Sequence, residues 1–77
     1  MKVHVFAVLK DYFDKEFEVD RNIRDAAELK KFLIQAKPAA ATILNNCRFA
    51  VNDEFVDLNF KLQSYDTITI IPPSSGG

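Results

Sequence analysis

The sequence predicts an α+β protein of two layers, a mixed sheet with one long helix packed on one face. Three observations predict it. Apolar residues alternate with a period of two near the start and over the last third of the chain, while a stretch between them repeats every three or four residues. Pro38 and the pair Pro72-Pro73 stop the helix and the last strand, because proline supplies no amide proton and disfavours a helical residue before it. At 77 residues the chain buries roughly 60 to 65% of its unfolded surface, enough for one core. We therefore expect a single domain over residues 1–77, with residues 72–77 projecting as a tail.

The first strand is expected over residues 2–9, with Val3, Val5, Ala7 and Leu9 on one face and His4, Phe6 and Val8 on the other. A turn at residues 11–15 leads into "EFEVD", where Phe17 and Val19 point inward and the acids outward, as in an edge strand. Asn22 is the expected helix cap, with Asp25 in the first turn, where free amides favour negative charge. Ala26, Leu29, Phe32, Leu33 and Ala36 form the buried stripe of the helix, and Glu28, Lys30, Lys31 and Gln35 its solvated side. "AAATILNN" makes a short second helix. "CRFAVN" reads as a central strand, Asn52-Asp53 as a turn, "EFVD" as a short strand and "TITII" as the last. Two strands, one long helix and three strands in so few residues make the ubiquitin-like β-grasp roll the compact solution.

Composition removes several functions. With 48% hydrophobic residues, 27% charged and a net charge of -1, the chain has no leaning toward nucleic acid or membrane. No apolar run approaches the ~18 residues of a bilayer span, and His4, Lys10 and Asp11 interrupt any signal-peptide core, so we expect a cytoplasmic protein. Cys47 is the one cysteine and His4 the one histidine, too few for a zinc site or an internal disulfide. We read Cys47 as a half-buried strand thiol. His4 has no acid at a useful sequence spacing and reads as a surface residue.

The tail carries the functional signal. Glycine averages about 7% of composition, yet this chain has two and places them last, in "PPSSGG". Pro72-Pro73 form a stiff stem that projects Ser74, Ser75, Gly76 and Gly77 as a flexible tip. Glycine has no β-carbon, so Gly76 gives the clearance that lets a terminal carboxylate on Gly77 thread a narrow channel in another protein. A carboxylate is a poor electrophile and must be activated. ATP gives an acyl adenylate, and a thiol or persulfide then gives an acyl disulfide or thiocarboxylate, a soft nucleophile that delivers sulfur. A Gly-Gly end that is merely a frayed terminus is the plainer reading.

Three stretches carry a resemblance. "VHVFAVLKD", "FAVNDEFVD" with Ala50-Val51-Asn52 at its centre, and "LQSYDTITIIPPSSGG" resemble the first strand, the third strand with its turn, and the ending of the small subunit of molybdopterin synthase, within the ThiS/MoaD family of β-grasp sulfur carriers. The likeness spans nearly the whole chain. It implies that an E1-like adenylyltransferase activates Gly77 with ATP, that a sulfur-donating protein makes the thiocarboxylate, and that the tail enters the large synthase subunit. There it donates sulfur to cyclic pyranopterin monophosphate, and two transfers build the dithiolene of molybdopterin. The catalytic groups then belong to the large subunit, this chain binds no cofactor or metal of its own, and the assembly is a heterotetramer of two carriers and two large subunits. The sequence departs from the pattern at Ser64-Tyr65-Asp66, where a glycine is common, and at Ser74, where valine is usual.

Periodicity adds a docking surface. If Val3 and Val5 face the helix, Phe6 faces away, and if Ile68 and Ile70 face inward, so does Ile71 turn outward. Neighbouring first and last strands would join Phe6 and Ile71 in one apolar patch beside Pro72, Pro73, Ser74 and Ser75, to which the resemblance adds Phe55. Lys10, near the end of the first strand, reads as a solvated lysine, with a peripheral salt contact to a partner as the alternative. The rivals are a thiamin-pathway carrier, a carrier that thiolates transfer RNA or attaches to lysines, and a noncovalent β-grasp interaction module whose tail does nothing.

Overall fold

Local pairing rules build five strands and two α-helices from this chain. The structure is a computed structural model and describes residues 1–73. The strands are β1 (Lys2–Val5), β2 (Glu16–Glu18), β3 (Arg48–Val51), β4 (Glu54–Val56) and β5 (Thr67–Ile71), and the helices are α1 (Ala26–Ala36) and α2 (Ala41–Asn45). Their order across the sheet is β2-β1-β5-β3-β4. Parallel pairing of β1 with β5, flanked by antiparallel pairs, makes the sheet mixed. First and last strands meet at its middle, as the β-grasp expectation requires. Val3, Val5, Phe49, Val51, Ile68 and Ile70 are buried on the inner face against Ala26, Leu29 and Leu33 of α1. Among the described residues no helix is long and apolar enough to cross a membrane.

Several expectations change. The first strand ends at Val5 rather than residue 9, because Ala7 turns to φ 54° and opens a 3-10 turn over Ala7–Asp11. Ala7 is consequently exposed, while Leu9 still reaches the core with no exposed surface. A β-carbon in this left-handed region costs about 1 kcal/mol or more. Burying Leu9 offsets it by about 1.5 to 3 kcal/mol.

Asp25, not Asn22, caps α1. Arg24 and Asp25 are still extended and paired with the chain around Lys61, so the helix cannot begin earlier. Asp25 Oδ1 accepts from the Glu28 amide at 2.9 Å, and Glu28 Oε1 accepts from the Arg24 amide at 2.8 Å. The carbonyls of Phe60 and Leu58 take the amides of Ala26 and Ala27 at 3.1 and 2.8 Å. The first amides of α1 are thus occupied, which leaves no helix-end cradle for an anion. Along α1, Phe32 is half-exposed under the guanidinium of Arg21, and Ala36 is exposed.

The turn before β5 differs from the glycine type. No residue from 63 to 66 has positive φ; instead the Gln63 amide donates to Asp66 Oδ2 at 2.8 Å while the Asp66 amide donates to the Gln63 carbonyl at 3.0 Å. Asp66 is 5% exposed, accepts from Asn52 Nδ2 at 3.4 Å, and offers its carbonyl to the Lys2 amide at 3.1 Å. A carboxylate performs the work of the absent glycine. Asp66→Ala leaves the Gln63 amide without its partner and should cost about 1 to 3 kcal/mol, read as a lower urea midpoint with an unchanged slope. An unchanged midpoint would contradict this account.

At the other hairpin, Asn52 and Asp53 take φ 51° and 73°, the two left-handed positions of a two-residue turn between Val51 and Glu54. The expected turn stands where the sequence put it.

Candidate functional site

The outer face of the sheet is set by register. His4, Thr69, Ala50 and Phe55 form one row across β1, β5, β3 and β4, since His4 pairs with Thr69, Thr69 with Ala50 and Ala50 with Phe55. The next row, toward the end of β5, holds Phe6, Ile71 and Arg48. Arg48 pairs with Ile71, and Phe6 is the extended residue one step past the Val5–Ile70 pair. Phe6 is 46% exposed and Phe55 55%, with Ile71 half-buried between strands.

Phe6 and Ile71 therefore share one outward row, with Phe55 in the neighbouring row, and the Phe6–Ile71 row lies where the chain leaves the sheet. Pro72, half-buried, and exposed Pro73 follow Ile71 directly. Ser74, Ser75, Gly76 and Gly77, on which the tail expectation rests, lie outside the described residues. Val8, in the 3-10 turn after Phe6, is 43% exposed, and Lys10 is exposed in the same turn.

Arg48 is the site residue that the sequence reading missed. Its guanidinium carbon lies 3.9 Å from the centroid of the Phe55 ring, a stacked cation–π contact. The signal was present: Arg48 shares the parity of Ala50 in "CRFAVN" and so must face outward with Ile71.

Other candidates lose their chemistry. His4 does have an acid, since cross-strand pairing brings Glu16 Oε1 to 3.6 Å from Nε2. Sequence spacing hid that neighbour because it lies on another strand. Glu16 also holds the Lys2 ammonium at 3.2 Å on an exposed edge, so the group is a surface ion cluster worth little to stability.

Cys47 precedes β3 rather than lying within it, and its Sγ donates to the Ile43 carbonyl at 3.1 Å. Burial pushes the thiol pKa up, against a smaller opposing pull from the Lys30 charge. The reactive thiolate is therefore scarce at neutral pH. Alkylation of the folded protein by iodoacetamide near neutrality should run slower than that of an unstructured cysteine peptide and approach it only in denaturant. Equal rates would remove the burial argument.

A surface cleft lined by Asn22, Ile23, Arg24, Glu28, Lys61, Leu62 and Gln63 touches neither outer-face row. It is open and polar beside the capped end of α1.

The chain is similar to known proteins in sequence and in fold. The model of the ThiS family matches residues 3–77. The molybdopterin synthase sulfur carrier subunit of Chlamydomonas reinhardtii is 43% identical over 47 residues, which cover 58% of this chain and 57% of that protein. The chain thus spans little more than half the length of that curated relative. Among solved structures, a chain of the complex of subunits 1 and 2 of molybdopterin-converting factor from Helicobacter pylori is 32% identical, with 99% of this chain and 96% of that one covered and a TM-score of 0.70. Small archaeal modifier protein 1 of Haloferax volcanii shares the fold, at 18% identity, a TM-score of 0.79 and 95% of each chain covered. The family match and the full-length likeness at 32% identity both run through the outer-face strands, and on that evidence the chain belongs to the ThiS family.

Proposed function

We propose that this chain is the sulfur carrier, and hence the small subunit, of a molybdopterin synthase. The observation that carries the reading is a coincidence of place: the outward row of Phe6 and Ile71 sits at the mouth of the sheet from which Pro72-Pro73 lead toward Gly76-Gly77. A partner that covers this row is positioned to receive the tail. The relatives support a large-subunit partner, since one carries the name of a molybdopterin synthase sulfur carrier subunit and another was solved as a complex of two converting-factor subunits.

In this reading an E1-like adenylyltransferase binds the carrier, and the Gly77 carboxylate attacks ATP to give an acyl adenylate with release of pyrophosphate. The terminal sulfur of a persulfide donor displaces AMP to give an acyl disulfide, and a second thiol attacks the donor's sulfur, forming a disulfide with it and releasing the thiocarboxylate. The tail then enters the large subunit, where the sulfur attacks cyclic pyranopterin monophosphate and hydrolysis of the acyl–sulfur bond returns Gly77 as a carboxylate. Two rounds supply the dithiolene. Gly77 is the reacting residue, Gly76 gives clearance, and Pro72, Pro73, Ser74 and Ser75 set reach and fit. Phe6, Phe55 and Ile71 dock.

Intact-mass measurement after incubation with ATP, the adenylyltransferase and a sulfur donor tests this. The expected gain equals the replacement of one oxygen by sulfur and maps to Gly77, and adding the large subunit with the pterin precursor should reverse it. No gain, where the same enzyme modifies an established carrier, overturns the reading in favour of a noncovalent module.

A further inference from the structure

Phe6, Ile71 and Arg48 share one row, so a protein that covers the two apolar side chains cannot avoid Arg48. Its guanidinium is stacked on Phe55 and makes no ion pair with any carboxylate among the described residues. The acids of the opposite edge are already engaged, Glu16 by Lys2 and His4, and Glu18 by the chain amine at 3.9 Å. Asp57, which follows β4 next to Val56, the partner of Phe49, forms no pair with Arg48 either.

Stacking fixes one face of the guanidinium, and its rim of N–H donors has no hydrogen-bond partner among the described residues, a geometry that suits two-point recognition of a carboxylate. Covering that charge without a partner would cost several kcal/mol, more than the apolar contact of either neighbour returns. A surface that is merely apolar is thereby penalised.

Resting on the proposed carrier function, we infer that Arg48 is a specificity-determining residue of the docking face, which admits a large subunit only where that subunit presents an aspartate or glutamate against the Phe55-stacked guanidinium. Phe55 acts through Arg48, by holding the guanidinium in place, as well as by contact.

The test uses the full-length carrier and the large subunit from the same source, with association followed by kinetics over a range of salt. Arg48→Gln should weaken binding at least about ten-fold and flatten the salt dependence of the association rate. Arg48→Lys keeps the charge without the planar fork, so it should restore the salt dependence and only part of the affinity. Among Asp→Asn and Glu→Gln variants of the large subunit, one should lose affinity against the wild-type carrier and lose little more against Arg48→Gln, which identifies the paired acid. Arg48 is exposed, so the thermal midpoint of Arg48→Gln serves as the check on folding.

Unchanged affinity and salt dependence in Arg48→Gln, with binding still lost in Phe6→Asp, would overturn the role of Arg48 and leave the carrier reading standing. If the wild-type carrier does not bind the large subunit at all, the carrier reading fails and this inference falls with it.

Discussion

Deletion of Gly77 should leave the folded protein intact and abolish sulfur delivery. The buried core runs from Val3 to Ile70, and the sheet pairing ends at Ile71, so the unfolding free energy should change by less than about 0.5 kcal/mol, the usual range for changes away from the core. Chemistry responds differently. Losing one residue shortens the greatest reach of the terminal carboxylate by roughly 3.3 to 3.6 Å, while a misplacement of about 1 Å can already cost a hundred-fold in rate. Stopped single-turnover conversion of the pterin precursor, with the large subunit in excess, gives the readout. A truncated chain that still builds the dithiolene would sink the carrier assignment, whereas one that binds the large subunit and transfers nothing is the expected result.

Phe6→Asp should separate docking from folding. Phe6 is 46% exposed at the end of β1, and its loss removes little from the core, so we expect a folding cost below about 1 kcal/mol. At an interface the same change removes an aromatic anchor and buries a charge. Such positions commonly contribute 2 kcal/mol or more, which corresponds to a loss of about thirty-fold or more in affinity. Calorimetric titration against the large subunit, beside urea unfolding of the free variant, measures both terms. Ile71→Asp is expected to weaken binding as well, but Ile71 is half-buried in β5 between β1 and β3, so part of its effect must fall on folding. Affinity unchanged in Phe6→Asp would exclude the outer row as the docking face.

Much of the fold was legible because its signals are local. The alternation in "TITII" placed Ile68 and Ile70 inward, Pro38 ended α1 at Ala36, and Asn52-Asp53 gave the hairpin turn, each decided by neighbours in sequence. The readings that failed were those in which a distant segment competes with a local preference. Asn22 is a sound cap by type, yet pairing of Arg24 and Asp25 with the chain at Lys61 and Leu62 moved the helix start to the next suitable residue. Alternation past Val5 favoured a longer strand, but the 3-10 turn at Ala7 brings Leu9 into the core.

The candidate site divides in the same way. Phe6 and Ile71 were readable as outward residues because strand parity is a local property, and the tail motif stands in the sequence itself. Parity alone does not say which outward residues are neighbours. That depends on the parallel register of β1 with β5 and the antiparallel register of β5 with β3, contacts between segments more than forty residues apart in the first case.

By itself, the sequence determined the strand and helix order and most of the inward and outward faces, since each follows from short-range patterning or from residue type. Only the tertiary structure decided that His4 meets Glu16, that Asp66 closes a turn without glycine, and that Arg48 lies on Phe55 beside Ile71. Those pairings arise when the sheet brings remote strands into register, because the free energy that selects them is burial of the shared inner face rather than any preference of the outer residues themselves.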